Sequence, residues 1–247
     1  MTVPAARPFL AFDTATPTAR VAVISAQGDC LVLRERTADR HSANLLALCD
    51  EVLREAEAPV RDLGAIMCGV GPGSFTGLRV GLAVAKGLAL PSGVPLVTVS
   101  SLDALAWDLA RQFPAAPEAP LLLPCIDAGK GQVYARLYAA SPSGAQALGE
   151  ADWVLSPEDL VRLAQESAAG KAVLAGGTGV DRYLDVFSAR IGPSAILPLA
   201  PGPSAIAIGR LGWDRFSRGQ VDDIETVVPR YGRPPDITRP KRALLSP

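Results

Sequence analysis

The feature that most constrains the fold is an order of predicted elements that occurs twice along the chain. One half opens with FLAFDTATPTARVAVI, where an apolar strand ends at Asp13, and the other with LLLPCIDAGKGQVYARL, where a strand ends at Asp127. In each half, apolar runs bounded by turn residues predict neighbouring strands, then an amphipathic helix, then a strand that enters a glycine-rich turn. No residue-level repeat of fixed period is visible. The pattern predicts an α/β chain of two similar lobes that face a cleft.

The predicted elements divide into two lobes, a helix and a tail. Residues 1–113 form the first lobe, with strands at 9–12, 20–25, 30–36, 65–70 and 94–99 and helices at 42–56, 77–90 and 103–112. A proline-rich connection at 114–120 precedes the second lobe, residues 121–200, with strands at 121–126, 132–139, 151–155 and 171–175 and a helix at 156–168. A C-terminal helix within 203–219 is expected to pack back on the first lobe, and residues 229–247 form a basic, proline-rich tail.

Composition excludes several classes of function. The 247 residues carry 24 Lys+Arg and 25 Asp+Glu, a formal net charge of -1, so RNA contact over the whole surface is not expected, and any such contact is local. The single histidine, His41, cannot supply two imidazoles to a metal ion. It precedes an amphipathic helix, and a packing or capping role competes with a catalytic one, for which the chain lacks a G-x-S-x-G elbow.

The sequence also indicates a soluble, cytoplasmic protein without membrane contact. The first twelve residues contain no sustained apolar stretch typical of a signal peptide. Lys86 and Pro91 interrupt the best candidate for a membrane-spanning segment. The four cysteines form no C-x-x-C pair, so free thiols, most of them buried, are expected.

The segment GVGPGSFTGLRVG, from Gly69 to Gly81, is the strongest local signal. A glycine turn between a buried strand and a helix can direct backbone N–H groups at an anion. Neither standard nucleotide fingerprint is satisfied, however, since no G-x-x-x-x-G-K-[ST] or G-x-G-x-x-G spacing is present. Close packing of a tight turn is the other interpretation.

A stripe of small residues continues along the following helix, at Gly77, Gly81, Ala85 and Ala89. Each interior glycine costs a helix about 1 kcal/mol relative to alanine, so close approach of another backbone is a reasonable compensation. That neighbour is either the sheet of the same lobe or a helix of a partner.

Carboxylates at the strand ends are the candidates for chemistry in the cleft. Asp13, with the adjacent Thr14, and Asp127 could orient water or magnesium for phosphoryl transfer. Aspartates at such positions also bind the amides of their own turn. Both interpretations stay open on the residues alone.

Several motifs together resemble one known family. FDTATPTARVAVI, HSANLLALCDEVL, GVGPGSFTGLRVGLAVAKGLAL, VPLVTVSSLDALA, IDAGKGQVYARLY and PRYGR occur in order from about Phe9 to Arg233 and are similar to the TsaB (YeaZ) family, for which GPGSFTGLR is specific. The resemblance implies the actin-like ATPase fold (sugar kinase, heat-shock protein and actin). It also implies a place in the complex that installs N6-threonylcarbamoyladenosine at position 37 of tRNAs reading ANN codons. The implied partners are a TsaD-type catalytic paralogue, a TsaE-type ATPase and, through the complex, tRNA.

A departure from the catalytic paralogue indicates a non-catalytic subunit. TsaD-type proteins carry an H-x-x-x-H metal pair in the stretch matching VPLVTVSSLDALA, where this sequence has Ser101 and Leu105. The segment DTAT, which begins at Asp13, also departs from the D-x-G-T phosphate signature, because it has alanine where the signature has glycine. The resemblance therefore implies a pseudo-enzyme that holds no metal or intrinsic cofactor and acts as a scaffold, with ATP or ADP at the subunit interface. An ATP-dependent small-molecule kinase is the alternative function, and a glycoprotease is a more remote one.

In this family the two helices that bracket the glycine turn form the dimer face, which pairs with the paralogue or with a second copy. Carried over to this sequence, the partner interface comprises the following residues: His41, Leu45, Leu48, Cys49, Val52, Gly71, Pro72, Gly73, Ser74, Phe75, Thr76, Gly77, Arg79, Gly81 and Ala85. The tail from Pro229 to Arg242 carries five cations against one acidic residue, and it is either solvated or in contact with RNA or an acidic partner.

Overall fold

The structure, a computed structural model, describes residues 7–37, 45–112, 119–141, 144–149 and 151–233. The first half of the chain forms a five-stranded sheet with three helices. Its elements are β1 (Phe9–Asp13), β2 (Thr18–Ile24), β3 (Cys30–Thr37), α1 (Leu45–Glu55), β4 (Ala65–Gly69), α2 (Phe75–Ser92), β5 (Leu96–Val99) and α3 (Ser101–Ala110). The sheet order is β3-β2-β1-β4-β5, with β1, β2 and β3 antiparallel and β1, β4 and β5 parallel.

The second half repeats this order with interrupted strands. Its elements are β6 (Leu121–Gly129), β7 (Gln132–Ala135), β8 (Tyr138–Ser141), β9 (Gly144–Ala147), β10 (Trp153–Leu155), α4 (Pro157–Ala168), β11 (Val173–Gly176), α5 (Thr178–Arg182), α6 (Leu184–Ile191) and α7 (Ala205–Ser217). β10, β7, β6, β8 and β9 are joined by antiparallel pairing, and β11 pairs with β6 in parallel.

The register shows that the second sheet repeats the strand arrangement of the first. β7 and β8 continue one antiparallel ladder on β6, since Cys125 lies opposite Ala135 and Leu122 opposite Tyr138 without a shift. β9 and β10 extend this ladder where β3 extends β2 in the first lobe. A single parallel bridge between Ala175 and Ile196 stands where β5 would be. The prediction of two similar lobes is confirmed, although the strand predicted over 132–139 is broken in two.

Helices cover both faces of both sheets. On the first sheet, α1 and α2 cover the face that carries Leu10 and Phe12. α7 covers the other face, where Ile208 packs in a cluster with Met67. α3 packs mainly on the second sheet, whose outer face is covered by α4, α5 and α6. Each fully buried large apolar side chain contributes about 1.5–3 kcal/mol relative to exposure. The two helices that lie between the sheets, α3 and α7, contact each other.

Serine side chains fix the starts of four helices. Ser74, Ser100, Ser156 and Ser204 each accept a hydrogen bond from the backbone N–H three residues ahead, a contact worth about 1 kcal/mol. In the helix predicted over 156–168, Ser156 is the N-cap, and Pro157 follows it as the first helical residue.

The cysteines lie as the sequence analysis predicted. All four cysteines are free, and all except Cys30 are buried. Within the described residues, no helix combines the length and the apolar character that a membrane-spanning helix needs.

Candidate functional site

The carboxylate of Asp13 lies at the end of β1 and is enclosed by its own lobe. Its side chain is 1% exposed. Oδ1 accepts a hydrogen bond from the Ala15 N–H at 2.7 Å, and Oδ2 accepts one from Ser101 Oγ at 2.6 Å. Burial raises the pKa of this carboxyl from 3.8 to about 6, while the two hydrogen bonds act in the opposite direction. Both oxygens are used to fix the turn between β1 and β2 against α3.

The glycine turn before α2 wraps closely around the β1–β2 turn. Ser74 N–H donates to Ala15 O at 2.7 Å, and Thr14 Oγ1 donates to Gly77 O at 2.9 Å. A Cβ at Gly77 would overlap Thr14 O. The Gly77 N–H, which would face an anion, donates to the Ser74 side chain at 3.2 Å. The turn therefore serves close packing, and the anion-binding interpretation of these glycines finds no support in the geometry.

Gly71 begins this turn in a conformation that favours glycine. Its φ is +100°, and a Cβ there would lie 2.6 Å from Leu78 Cδ1 and 2.9 Å from Arg230 O. The Gly71 N–H donates to Ser101 Oγ at 3.1 Å, so one serine joins the glycine turn to Asp13.

The equivalent carboxylate of the second lobe, Asp127, is also engaged. Its Oδ1 accepts from the Gly129 N–H at 2.9 Å, and its Oδ2 forms an ion pair with Arg182 at 3.3 Å. The backbone N–H of Asp127 donates to Thr178 Oγ1 at 3.2 Å. Asp127 thus stabilises the β6–β7 turn and carries its own counter-ion.

The two positions that match the metal pair of the catalytic relatives are parts of the core. Ser101 is fully buried, accepts from the glycine turn and donates to Asp13. Leu105 is fully buried in the cluster between α3 and the second sheet. Among the residues that the structure describes, no group of three or more His, Cys, Asp or Glu side chains is placed to hold a metal ion.

Most of the side chains predicted to face a partner are instead internal. Leu45, Leu48, Cys49 and Val52 of α1 are at most 3% exposed and pack against the first sheet. Their apolar spacing signals the core, because an amphipathic helix buries its apolar stripe against its own sheet first. Gly71, Pro72, Gly81 and Ala85 are buried as well, and Gly73 and Gly77 press against the β1–β2 turn. The small-residue stripe of α2 therefore contacts this lobe, and the predicted partner contacts at these residues are corrected.

Four predicted interface residues do reach the surface, namely Ser74, Phe75, Thr76 and Arg79. His41 lies outside the described residues. The outer surface of α1 is largely charged and holds ion pairs to β3, such as Arg34 with Glu55 at 2.5 Å.

The exposed face of α2 was missed by the sequence analysis. Val80 and Leu90 are 43% and 67% exposed, and Ala83 and Gly87 lie exposed between them. These four residues, called here the outer face of α2, recur at spacings of three and four and so share one side of the helix. Apart from its chain neighbours and the backbone of its own helix, no described atom lies within 4 Å of a Cβ built on Gly87. A second set of small residues thus lies opposite the buried stripe, and its spacing was visible in the sequence.

Residues 221–233, called here the C-terminal strap, also lie on the protein. Asp222 forms an antiparallel bridge with Leu96 at the free edge of β5. Further along, Arg230 N–H donates to Val70 O at 2.8 Å, and Arg233 donates to the carbonyl of Gly129 at 3.1 Å. The strap therefore crosses from the first lobe to the second. The rest of the predicted tail, residues 234–247, lies outside the described residues.

Comparisons with known proteins agree with this architecture. The family model "TsaD: tRNA N6-adenosine threonylcarbamoyltransferase" matches residues 32–181, more than half of the chain. The "tRNA threonylcarbamoyladenosine biosynthesis protein TsaB" of Escherichia coli (strain K12) is 31% identical over 228 residues, which cover 91% of this chain and 94% of that protein.

Solved structures show the same relationship. YeaZ from Pseudomonas aeruginosa superposes with a TM-score of 0.73 at 28% identity, over 91% of this chain and 99% of that one. A polyphosphate/ATP-glucomannokinase from Arthrobacter matches with a TM-score of 0.50 at 13% identity, over 84% of this chain and 98% of that one, and so shares the fold alone. The chain thus has the predicted actin-like ATPase fold, and it belongs to the TsaB (YeaZ) family of tRNA threonylcarbamoyladenosine biosynthesis proteins.

Proposed function

We propose that the chain is a non-catalytic subunit that activates a TsaD-type catalytic subunit in the formation of N6-threonylcarbamoyladenosine in tRNA. The observation that carries the proposal is the outer face of α2, an exposed row of small and apolar residues that no described part of the chain covers. The match to the TsaD family model supports it, because a partner of the same fold presents a corresponding helix. The name of the Escherichia coli relative supports a role in threonylcarbamoyladenosine biosynthesis.

The lack of catalysis is inferred from how the cleft residues are used. Asp13 is buried with both oxygens hydrogen-bonded, and Asp127 is paired with Arg182. A kinase would need at least one such carboxylate directed at magnesium or at the attacking hydroxyl. Leu105 has no atom that can bind a metal, and Ser101 is already committed to Asp13. These residues stabilise the fold where an active relative would carry out chemistry.

The outer face of α2 suits a helix of a partner subunit. The helix has 18 residues, a length of about 27 Å, and its row from Val80 to Leu90 covers about three turns. Packed helices lie 8–10 Å apart, and small residues such as Ala83 and Gly87 allow the closer distances. A second copy of the chain would use this same face when the catalytic subunit is missing. We assign ATP or ADP to the interface with that subunit, and contacts with a TsaE-type ATPase and with tRNA to the assembled complex.

Gly87→Arg separates partner binding from folding. The new side chain enters open space, and replacing an exposed helical glycine by arginine improves helix propensity by nearly 1 kcal/mol. Leu184→Arg is the matched control, because Leu184 lies on a second-lobe helix and is 48% exposed, much like Val80.

Isothermal titration calorimetry with the purified TsaD-type subunit is the measurement. We expect Gly87→Arg and Val80→Asp each to weaken binding at least 100-fold, whereas Leu184→Arg binds like the wild type. Wild-type affinity in Gly87→Arg and Val80→Asp would show that another surface is used and would overturn the proposal.

A further inference from the structure

The C-terminal strap runs alongside α2 before it reaches the second lobe. The strap begins on β5, where Asp222 accepts a hydrogen bond from Thr98 N–H at 2.6 Å and pairs with Arg215 of α7 at 3.3 Å. Lys86 of α2 contacts the carbonyl of Glu225 at 3.5 Å. Ile224 and Val227 of the strap pack against the core of the first lobe. The strap is therefore held along the same helix that carries the proposed partner surface.

At the N-terminal end of α2, the strap completes an exposed cluster of three side chains. Tyr231 Oη accepts a hydrogen bond from Arg79 Nε at 2.8 Å, and its ring lies 4.8 Å from that of Phe75 between centroids. The Arg79 guanidinium lies 3.8 Å from the centre of the Phe75 ring. Phe75 and Tyr231 are 43% and 38% exposed. Such an arrangement fixes three long side chains before any partner arrives.

The end of the strap is anchored on the second lobe. Arg233 donates to the carbonyls of Ala128 and Gly129 at the end of β6, and its guanidinium lies 5.8 Å from the Tyr134 ring. Gly232 packs against that ring and against Pro72 of the glycine turn. Tyr231 is thus held between two fixed points, Arg230 at Val70 just after β4 and Arg233 on the second lobe.

We propose that the strap completes the surface that receives the TsaD-type subunit, with Tyr231 as the residue that positions Phe75 and Arg79 for contact with it. This inference rests on the proposed function. The cluster is continuous with the outer face of α2, because Ala83 follows Arg79 by four residues and lies one turn along the helix. Aromatic and arginine side chains held in place carry much of the binding energy at protein interfaces, since less side-chain freedom is lost on binding.

A double-mutant cycle tests whether Tyr231 acts through Phe75. We expect Tyr231→Ala and Phe75→Ala each to weaken binding of the TsaD-type subunit about 10-fold in calorimetry. The double variant should bind about 10- to 20-fold more weakly than the wild type, whereas two independent sites would give 100-fold. The difference corresponds to a coupling energy of about 1 kcal/mol between Tyr231 and Phe75. Val221→Ala is the control, since Val221 is exposed on the same strap but precedes the Asp222 anchor, and it should bind within twofold of the wild type.

The outcomes distinguish this inference from the proposed function. If Gly87→Arg abolishes binding and Tyr231→Ala binds like the wild type, the role of the strap is refuted and the proposed function stands. If the two alanine substitutions multiply to 100-fold, Tyr231 does not position Phe75, and the inference is also refuted. Wild-type binding by both Gly87→Arg and Tyr231→Ala would refute both proposals.

Tyr231→Phe gives a second test that keeps the aromatic stack and removes only the hydrogen bond to Arg79. Because the hydroxyl is exposed at the surface, its loss should leave the thermal unfolding midpoint close to that of the wild type. We expect binding to weaken about threefold. Unchanged affinity would show that the hydroxyl does not position Arg79.

Discussion

Two glycines of α2, six residues apart, are expected to respond in opposite ways to the same substitution. Gly87 faces open space, so Gly87→Ala should gain the difference in helix propensity, about 1 kcal/mol. Gly81 lies against the β1–β2 turn, where a Cβ would overlap Thr14 Oγ1. Thr14 is 6% exposed, and its hydroxyl donates to Gly77 O at 2.9 Å, so it has little room to move.

The net effect at Gly81 follows from three contributions. Forcing an extra methyl into a packed site costs about 1–3 kcal/mol. Displacing Thr14 also removes its hydrogen bond to Gly77, which contributes about 1 kcal/mol. The propensity gain of about 1 kcal/mol offsets part of this loss. Gly81→Ala should therefore lower the free energy of unfolding by about 1–3 kcal/mol.

Thermal unfolding followed by circular dichroism measures the contrast. In a chain of this size, 1 kcal/mol shifts the midpoint by about 2–4 °C. Gly87→Ala should raise the midpoint by about 2–4 °C and Gly81→Ala should lower it by at least about 2 °C. If Gly81→Ala stabilised the protein as much as Gly87→Ala, α2 would not press against the β1–β2 turn through Gly81, and the assignment of its two faces would be wrong.

Three other predictions concern Asp13, the two positions that match the metal pair of the catalytic relatives, and the thiols. Because burial raises the pKa of Asp13 to about 6, the folded state binds a proton more tightly than the unfolded state. In urea unfolding, the free energy of unfolding of the wild type should thus rise by about 2 kcal/mol relative to that of Asp13→Asn as the pH falls from 7 to 4. A difference between the two proteins that does not change with pH would contradict the raised pKa. Ser101→His/Leu105→His should lose about 3 kcal/mol or more and bind no zinc by elemental analysis, since Leu105 lies in the core; tight zinc binding would contradict this. A thiol reagent should modify one cysteine, Cys30, in the native protein and all four after denaturation, whereas rapid native labelling of Cys49 would contradict its burial.

The sequence predicted the lobes well because each lobe opens with an apolar strand and a turn. The predicted helix at 77–90 begins at Phe75, and the one at 103–112 begins at Ser101. Both helices begin earlier than predicted for the same reason. Ser74 and Ser100 are N-caps that accept hydrogen bonds from the N–H groups three residues ahead, so the residue after each serine is already helical. The break between β7 and β8 and the short α5 and α6 depend on contacts between distant segments, which local periodicity does not encode.

The proposed partner surface was harder to predict than the fold. Apolar spacing in α1, for example at Leu48 and Val52, identified a buried face, and that face belongs to the chain's own core. Small residues line both sides of α2. The structure distinguishes the two sides, because Gly81 lies against Thr14 whereas Gly87 faces open space. The contacts of Tyr231 and Arg233 depend on the path of the strap across both lobes, which no local pattern specifies.

The rate of tRNA threonylcarbamoylation in a reconstituted system tests the central claim most directly. The companion subunits would be supplied with ATP, threonine and bicarbonate, and with the wild-type chain, Gly87→Arg, or neither. Because the chain is proposed to act through the outer face of α2, Gly87→Arg should give no more product than omission of the chain, although it folds at least as stably as the wild type. A wild-type rate with Gly87→Arg, or without the chain, would contradict the account.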